Sequence, residues 1–492
     1  MAHRGKTGLA MARHEVSSDQ VGSLPDPRFW TAIEDDSIFS EISCPSTGVL
    51  AWPAIRQDVI RALIGDRYYA GSWLARPGPG RIRRVLASGL RAALTNARSG
   101  RKRSDVVLVT SGAGLIDRGG RMFNRYADHF VAQLGLASWT LEALAEDRWP
   151  TLPRSNDRLS FEADHRLWLL LAGSLGSRPR HRAMATELVD RAAALGRDRL
   201  GWDLGESRRN TFIALGARRL AAYPARARHA EGVIRSVRPR LAIVEEGCYG
   251  HMAVFNSVAR ASGVRVAEFQ HGMVTSAHDA YSVAPRLEAS DSYRSTLPDV
   301  FLSYGDWWNQ QFGLAAVERK TIGNPHRTEA LGDWAPVPDR HTVVVLGDGV
   351  DTETTLAFAA RLAEALPTGL RVAFRPHPLE RSYLSRQAAV PVDLDLAGDL
   401  YESLSGAVAV VGEASTALFE AVGLVDRIFA WDTPKSRFYL GNHPFEVVWE
   451  PEQIAEAMRL ASRSSSELHV DDVWAPDWRA RFARFVDGPQ GS

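Results

Sequence analysis

Lysine is scarce in this chain: of 59 basic residues only Lys6, Lys102, Lys320 and Lys435 are lysines. Arginine supplies the rest, a bias that a GC-rich genome produces and that also provides bidentate phosphate binders. Cysteine is scarcer still. Cys44 and Cys248 are the only two, which argues against a disulfide framework and fits a reducing compartment. No apolar run approaches the roughly 20 residues that a membrane helix needs. The opening MAHRGKTGLAMARHEVSS has basic residues but lacks the apolar core of a signal peptide. A net charge of +1 creates no global field for nucleic acid or membrane. No zinc-ligand spacing and no Walker loop occurs. These absences predict a cytoplasmic protein that binds no nucleic acid and holds no metal.

What is present is length and apolar content. The 492 residues, 45% of them hydrophobic and 24% charged, exceed one ordinary domain and can fill two cores. Residues 1 to about 25 read as a flexible tail, and Pro27 to about Tyr69 as a helical, aromatic-bearing segment. A Gly/Pro break (75–80) precedes RIRRVLASGLRAALTNARSGRKRS, which contains no acid. Within it Ile82, Val85, Leu86, Leu90, Ala93 and Leu94 fall on one helical stripe, with arginines on the other side. Two readings stay open for 76–103: a helix docked on the body, or a basic face for anionic lipid headgroups or a polyanionic acceptor. Residues 1–104 are thus expected to form a tail and a helical, basic extension.

From Asp105 the texture changes to short β-branched runs that alternate with helical stretches. DVVLVTSG (105–112), LAIVEEG (241–247), VRVAEFQHG (264–272), DVFLSYG (299–305) and KTIGNP (320–325) read as buried strands ending in turns. WAPVPD (334–339) breaks the series, and TVVVLGDG (342–349), GLRVAFRPHP (369–378), GAVAVVGEAS (406–415) and RIFAWD (427–432) begin a second. Buried strands that alternate with helices imply α/β architecture with parallel sheets covered on both faces. The expectation is two doubly wound, Rossmann-like domains, 105–330 and 340–480, with a hinge near 326–341. Ligands of such sheets bind at the carboxyl ends of the strands.

Four polar clusters sit at those ends. Glu245-Glu246-Gly247 puts two carboxylates directly after a strand, where one can act as general base or both can merely be solvated. In Glu268-Phe269-Gln270-His271-Gly272 an imidazole precedes a turn, and a structural histidine is the competing reading. Arg375-Pro376-His377-Pro378 is held rigid by its prolines, and two residues apart on an extended chain Arg375 and His377 make a two-pronged phosphate clamp. Gly412-Glu413-Ala414-Ser415-Thr416 opens a helix, where its hydroxyls can cap the helix and hold an anion. Other patterns fail. SGAGLIDRGG (111–120) lacks the third glycine of a dinucleotide fingerprint, and Asp393-Leu394-Asp395 reads as loop rather than a metal motif.

In their order these clusters resemble the bacterial GT-B sialyltransferases and polysialyltransferases, and the capsule transferases that use CMP-Kdo. Those families carry a paired-acid-glycine motif, an HP motif and a Ser-Ser/Thr motif, matched here by Glu245-Glu246-Gly247, His377-Pro378 and Ser415-Thr416. The resemblance implies a GT-B fold and an inverting, metal-independent glycosyl transfer that needs no cofactor. It implies Glu246 as the base, His377 as the group assisting the leaving nucleotide, and Ser415 and Thr416 as phosphate ligands. Tyr401-Glu402-Ser403-Leu404 resembles the segment whose glutamate binds the nucleotide ribose, which would be Glu402; Arg375 and Glu413 would complete the donor side. QHG followed by an HP motif also resembles the CDP-glycerol glycerophosphotransferases of teichoic acid synthesis, with His271 and His377 as their two histidines. FLSYGDWWNQQF and TIGNP resemble capsule and surface-polysaccharide proteins. The implied partners are a nucleotide-sugar donor, preferably CMP-linked and acidic, and a glycan or lipid-linked glycan acceptor. A UDP- or GDP-hexose transferase and an idle glycan-binding GT-B module are the alternatives.

Overall fold

The computed structural model describes residues 29–68, 80–332, 334–349, 351–384, 390–460 and 469–488. The expected tail, Arg76 and nearly all of the Gly/Pro break lie outside the described residues. The first half contains β1 (Val106–Thr110), a hairpin of β2 (Leu115–Arg118) and β3 (Arg121–Asn124), β4 (Ser138–Glu142), β5 (Leu159–Phe161), β6 (Leu241–Val244), β7 (Arg265–Phe269), β8 (Val300–Ser303) and β9 (Glu318–Thr321). Apart from the hairpin they form one parallel sheet in the order β5-β4-β1-β6-β7-β8-β9. The second half contains β10 (Thr342–Leu346), β11 (Arg371–Arg375), β12 (Asp393–Leu394), β13 (Ala407–Gly412), β14 (Arg427–Trp431) and β15 (Glu446–Val448). These form a second parallel sheet, ordered β12-β11-β10-β13-β14-β15. Two helix-covered parallel sheets are the two Rossmann-like domains expected of a GT-B fold.

Alternate residues of the central strands enter different cores. Val106, Leu108, Ile243 and Phe269 pack with Phe130 and Phe482, whereas Val107, Val109, Ala242 and Val266 pack with Trp139 and Val237. In the second sheet Val343, Val345 and Phe374 face one core, and Val344, Leu346 and Val410 the other. Burial on both faces is why these strands read as unbroken apolar runs. Asp393 and Leu394, expected as loop, instead pair with Ala373 and Phe374; a two-residue edge strand is too short to leave a pattern.

Three further segments differ from the expected plan. The last helix, Trp478–Asp487, crosses back and puts Trp478 and Phe482 into a core of the first sheet. Residues 29–68, expected as part of an extension, are built into the body. Trp30, Ile33 and Trp52 are buried there, and buried Glu34 pairs with Arg56 at 2.5 Å. Such a pair survives out of water only if its other polar atoms are bonded. Trp52 Nε1 donates to Glu34 at 2.6 Å, and Arg56 donates to the Ser282 carbonyl at 2.7 Å. The helix Arg81–Ser99 turns Val85, Ser88, Gly89 and Ala92 inward, while Ile82, Leu86, Leu90 and Leu94 are exposed.

The halves are tied together near the linker. Arg327, on the helix Pro325–Ala330, donates to the Val422 carbonyl at 2.7 Å, and Trp474 Nε1 to the Phe419 carbonyl at 3.0 Å.

Candidate functional site at the two switch points

β1 lies between β4 and β6, and β10 between β11 and β13. At such a point the connections leave toward opposite faces of the sheet, and a crevice opens at the carboxyl ends of the strands. The paired acids end β6, beside β1. His377 follows β11 and the Ser415-Thr416 pair follows β13, one on each side of β10.

The two acids have different fates. Glu245 accepts from Thr110 Oγ1 at 2.5 Å, from the Ser111 amide at 2.8 Å and from Ser111 Oγ at 2.7 Å. It is a buried clamp across the ends of β1 and β6. Glu246 has a left-handed φ of 59°, a strained conformation for a residue with a Cβ. Its carboxylate comes within 3.4 Å of His251 Nε2. Gly247 permits this turn, because a Cβ there would come within 2.7 Å of Val244 and 3.1 Å of Glu268. Burial pushes the Glu246 carboxyl above its ordinary range; His271 opposes the rise, and Glu245 and Glu268 add to it.

Beneath the turn, fully buried Glu268 accepts from the Cys248 amide at 2.8 Å and from Tyr281 Oη at 2.9 Å. Burial raises its pKa to about 7. The next turn is held by Gln270, which accepts from the Tyr304 amide at 2.9 Å and donates to the Gly272 carbonyl at 2.8 Å. The His271 ring lies 5.8 Å from that of Tyr249 and 6.3 Å from that of Tyr126. Its buried Nδ1 has no hydrogen-bond partner. A cavity of about 400 Å³ opens beside Glu246, with Ser111, Glu245, His251 and Arg226 in its wall. The residues lining it all belong to the first half.

In the second half the turn after β10 fits around His377. Gly349 has φ +81°, and a Cβ on it would come within 2.8 Å of the His377 ring; a Cβ on Gly347 would meet Glu380 and the His377 amide. Glu380 accepts from that amide at 2.7 Å and from Thr352 Oγ1 at 2.6 Å. Burial lowers the His377 pKa against the pull of Glu380 and Asp348. Arg375 is turned to its own domain. It donates to Ser403 Oγ at 2.5 Å, to Asp395 at 3.4 Å and to the Ala397 carbonyl at 3.3 Å, so it braces the loop behind His377. Ser415 caps the helix Thr416–Glu420 through the Ala417 amide at 3.3 Å. At five residues that helix is shorter than TALFEAVG suggests. Glu402 is exposed on the first turn of Leu400–Ser405.

Sequence reasoning missed two groups here. Lys435 is buried between Asp348 and Glu413, 2.5 Å from Glu413, and so links the turns after β10 and β13 to the segment after β14. Burial pulls its pKa down, but the two carboxylates outweigh this and leave it raised. The signal was its rarity, a lone lysine in an arginine-rich half. Arg125, exposed at the end of the hairpin, donates to Tyr126 Oη at 2.8 Å. Its charge acts on His377 of the other half and is acted on by Glu420. Tyr249, His271, Tyr126 and Arg125 thus lead from Glu246 toward the second sheet. No motif marks Arg125. Among the described residues no group of three His, Cys, Asp or Glu side chains could hold a metal ion.

No protein-family model matches the chain, and no curated protein matches it. Solved structures similar to it include the wall teichoic acid polymerase TagF with CDPG, 11% identical over 83% of this chain and 92% of that one, with a TM-score of 0.39. The UDP-GlcNAc 2-epimerase of Methanocaldococcus jannaschii is 9% identical over 77% and 99%, with a TM-score of 0.43. The calicheamicin glycosyltransferase CalG4 is 12% identical over 78% and 94%, with a TM-score of 0.41. The fold class stands on the strand order given above.

Proposed function

We propose that this chain is a glycosyltransferase that moves a sugar from a nucleotide-activated donor to a glycan acceptor, with inversion and without a metal. The observation that carries this reading is Glu246. It is a carboxylate with a raised pKa on a left-handed backbone, outside the clamp that holds Glu245 and set beside a cavity at the switch point of the first sheet. An acceptor hydroxyl in the cavity would give its proton to Glu246 as its oxygen attacks the anomeric carbon. The bond from that carbon to the donor phosphate would break, with its electron pair going to the phosphate oxygen. His377, uncharged near neutrality because its pKa is lowered, would donate an N–H to that oxygen. The Ser415 and Thr416 hydroxyls would hold the phosphate, with Glu402 proposed for the ribose and Glu413 kept in place by Lys435.

A CMP-linked acidic sugar is the donor we favour, because Arg125 stands exposed on the way to His377 and offers a fork for a carboxylate. The orphaned Nδ1 of His271 favours a second reading, a CDP-glycerol-type transferase with His271 as base. Calorimetric titration with CMP, CDP, UDP and GDP separates these, with CMP expected to bind most tightly. Glu246→Gln should lower turnover by roughly 10²- to 10⁴-fold, the usual contribution of a general base, while leaving nucleotide affinity unchanged. Tightest binding of UDP or GDP would point to a hexose donor, and binding of none would leave an idle glycan-binding module. Full turnover in Glu246→Gln with loss in His271→Gln would favour the second reading.

A further inference from the structure

The helix Arg81–Ser99 is packed the wrong way round for a water-facing surface. Its inward side is made of small residues, with Gly89 so close that a Cβ would lie 3.1 Å from the Ala163 carbonyl. Asn96 pins it there, accepting from the Phe161 amide at 2.9 Å and donating to the Phe161 carbonyl at 2.8 Å. The large apolar residues at steps of four, Ile82, Leu86, Leu90 and Leu94, point outward, with Ile82 78% and Leu90 66% exposed. The neighbouring helix Ala163–Leu175 packs against this one and does the same. Trp168 is 68% and Leu175 79% exposed, with Leu171 between them. A soluble surface scatters such side chains singly; here two adjoining helices gather them.

The surrounding charge says what covers them. No acidic residue occurs from Arg81 to Ser104, and Arg83, Arg91, Arg98, Lys102 and Arg103 are exposed. Of the nearby acids, Asp147 is engaged by Arg81 and Arg166, and Asp164 by Asn96. We infer that this two-helix face docks on an anionic lipid bilayer, its leucines and Trp168 entering the headgroup boundary and its arginines meeting lipid phosphates. A second copy of the chain fits less well, because a symmetric contact would oppose these arginines to one another. Among the described residues no helix is long and apolar enough to cross a membrane, so the contact is peripheral. His165 and Arg166, on the second of these helices, also line the cavity beside Glu246. If the proposed transfer is right, the helix that meets the bilayer is therefore also a wall of the acceptor cavity.

The test is sedimentation of the full chain with phosphatidylcholine vesicles, with and without phosphatidylglycerol, at low and high salt. Binding is expected only with phosphatidylglycerol present, and it should weaken as salt rises. Leu86→Asp with Leu90→Asp should lower partitioning at least about tenfold, since both lost apolar area and added charge oppose insertion. Each of Arg83→Gln and Arg98→Gln should cost roughly fivefold, the effect of one basic residue near an anionic surface. All four positions are exposed, so an unchanged thermal melt verifies the fold of each variant. Equal partitioning of wild type and the Leu86→Asp/Leu90→Asp variant would overturn the inference. So would a concentration-dependent dimer that the same variant dissolves, without vesicle binding. Nucleotide titration is read separately: vesicle binding without nucleotide binding would sink the proposed function and leave this face standing.

Discussion

Glu268 lies under the turn that carries Glu246 and offers the most quantitative test of how that turn is held. Its pKa is raised by burial from an ordinary 4.5 to about 7. Below pH 4.5 both the folded and the unfolded chain hold this proton, and burial of the group carries no ionisation cost. Between 4.5 and about 7 the unfolded chain loses the proton while the folded chain keeps it, so stability falls as pH rises. Above about 7 both forms are ionised and the whole cost is present. At 1.36 kcal/mol per pH unit, the interval from 4.5 to about 7 amounts to about 3 kcal/mol. Glu268→Gln cannot ionise; its one oxygen can still accept from the Cys248 amide, with its NH2 turned to Tyr281 Oη. In urea unfolding at about pH 8 the variant should be more stable by up to about 3 kcal/mol, and the gain should vanish toward pH 4.5. A stability gain equal at all pH values would refute the ionisation argument. A loss at all of them would show that the amide nitrogen, left unbonded, outweighs the removed charge.

Two further substitutions probe the frame around the site. Arg56→Met should destabilise the chain by about 3–5 kcal/mol in urea unfolding, because it leaves buried Glu34 without its ion-pair partner. Lys435→Met leaves Asp348 and Glu413 facing each other; it should weaken nucleotide binding in calorimetry and lower stability throughout neutral pH. The lysine's raised pKa means its own contribution persists until the pH climbs past 10.5, so a defect confined to strongly alkaline solution would contradict this role.

KTIGNP, expected as a buried strand, holds only the end of the exposed edge strand β9, and β15 at the edge of the second sheet was not read. The central strands of both sheets were legible because their residues are buried on two faces, which makes the apolar runs continuous. β4 and β5 were not, since SWTLE and LSF mix polar side chains into short stretches whose burial comes from helices distant in sequence. The stripe on 81–99 was legible, but its direction was not. Periodicity assigns each residue an angle around the helix and is silent on which angle meets the body. The deciding residues were the small ones, Ser88, Gly89 and Ala92, which allow close packing on Ala163. The His377 turn was legible through its prolines, whereas its support by Glu380 and the two glycines after β10 depends on strands about 30 residues apart that become neighbours only on folding.

The same limit applies to the paired acids, and there the structure supplies the reason that one differs from the other. β1 and β6 are paired with Val109 beside Val244. The next residue on each strand is therefore Thr110 beside Glu245, and Ser111 follows with an amide and a hydroxyl in reach. Glu245 is thus the last residue of the sheet's hydrogen-bonding edge. To act as a base it would have to give up three donors, Thr110 Oγ1, the Ser111 amide and Ser111 Oγ. Glu246 is one step past that edge. The chain must turn there, Gly247 lets it turn tightly over Glu268, and the left-handed backbone of Glu246 is what the turn requires. Moving the acid pair by one residue in either direction would put a carboxylate into the strand core or beyond the cavity. The spacing of Glu245, Glu246 and Gly247 is therefore a consequence of where the β1–β6 ladder ends.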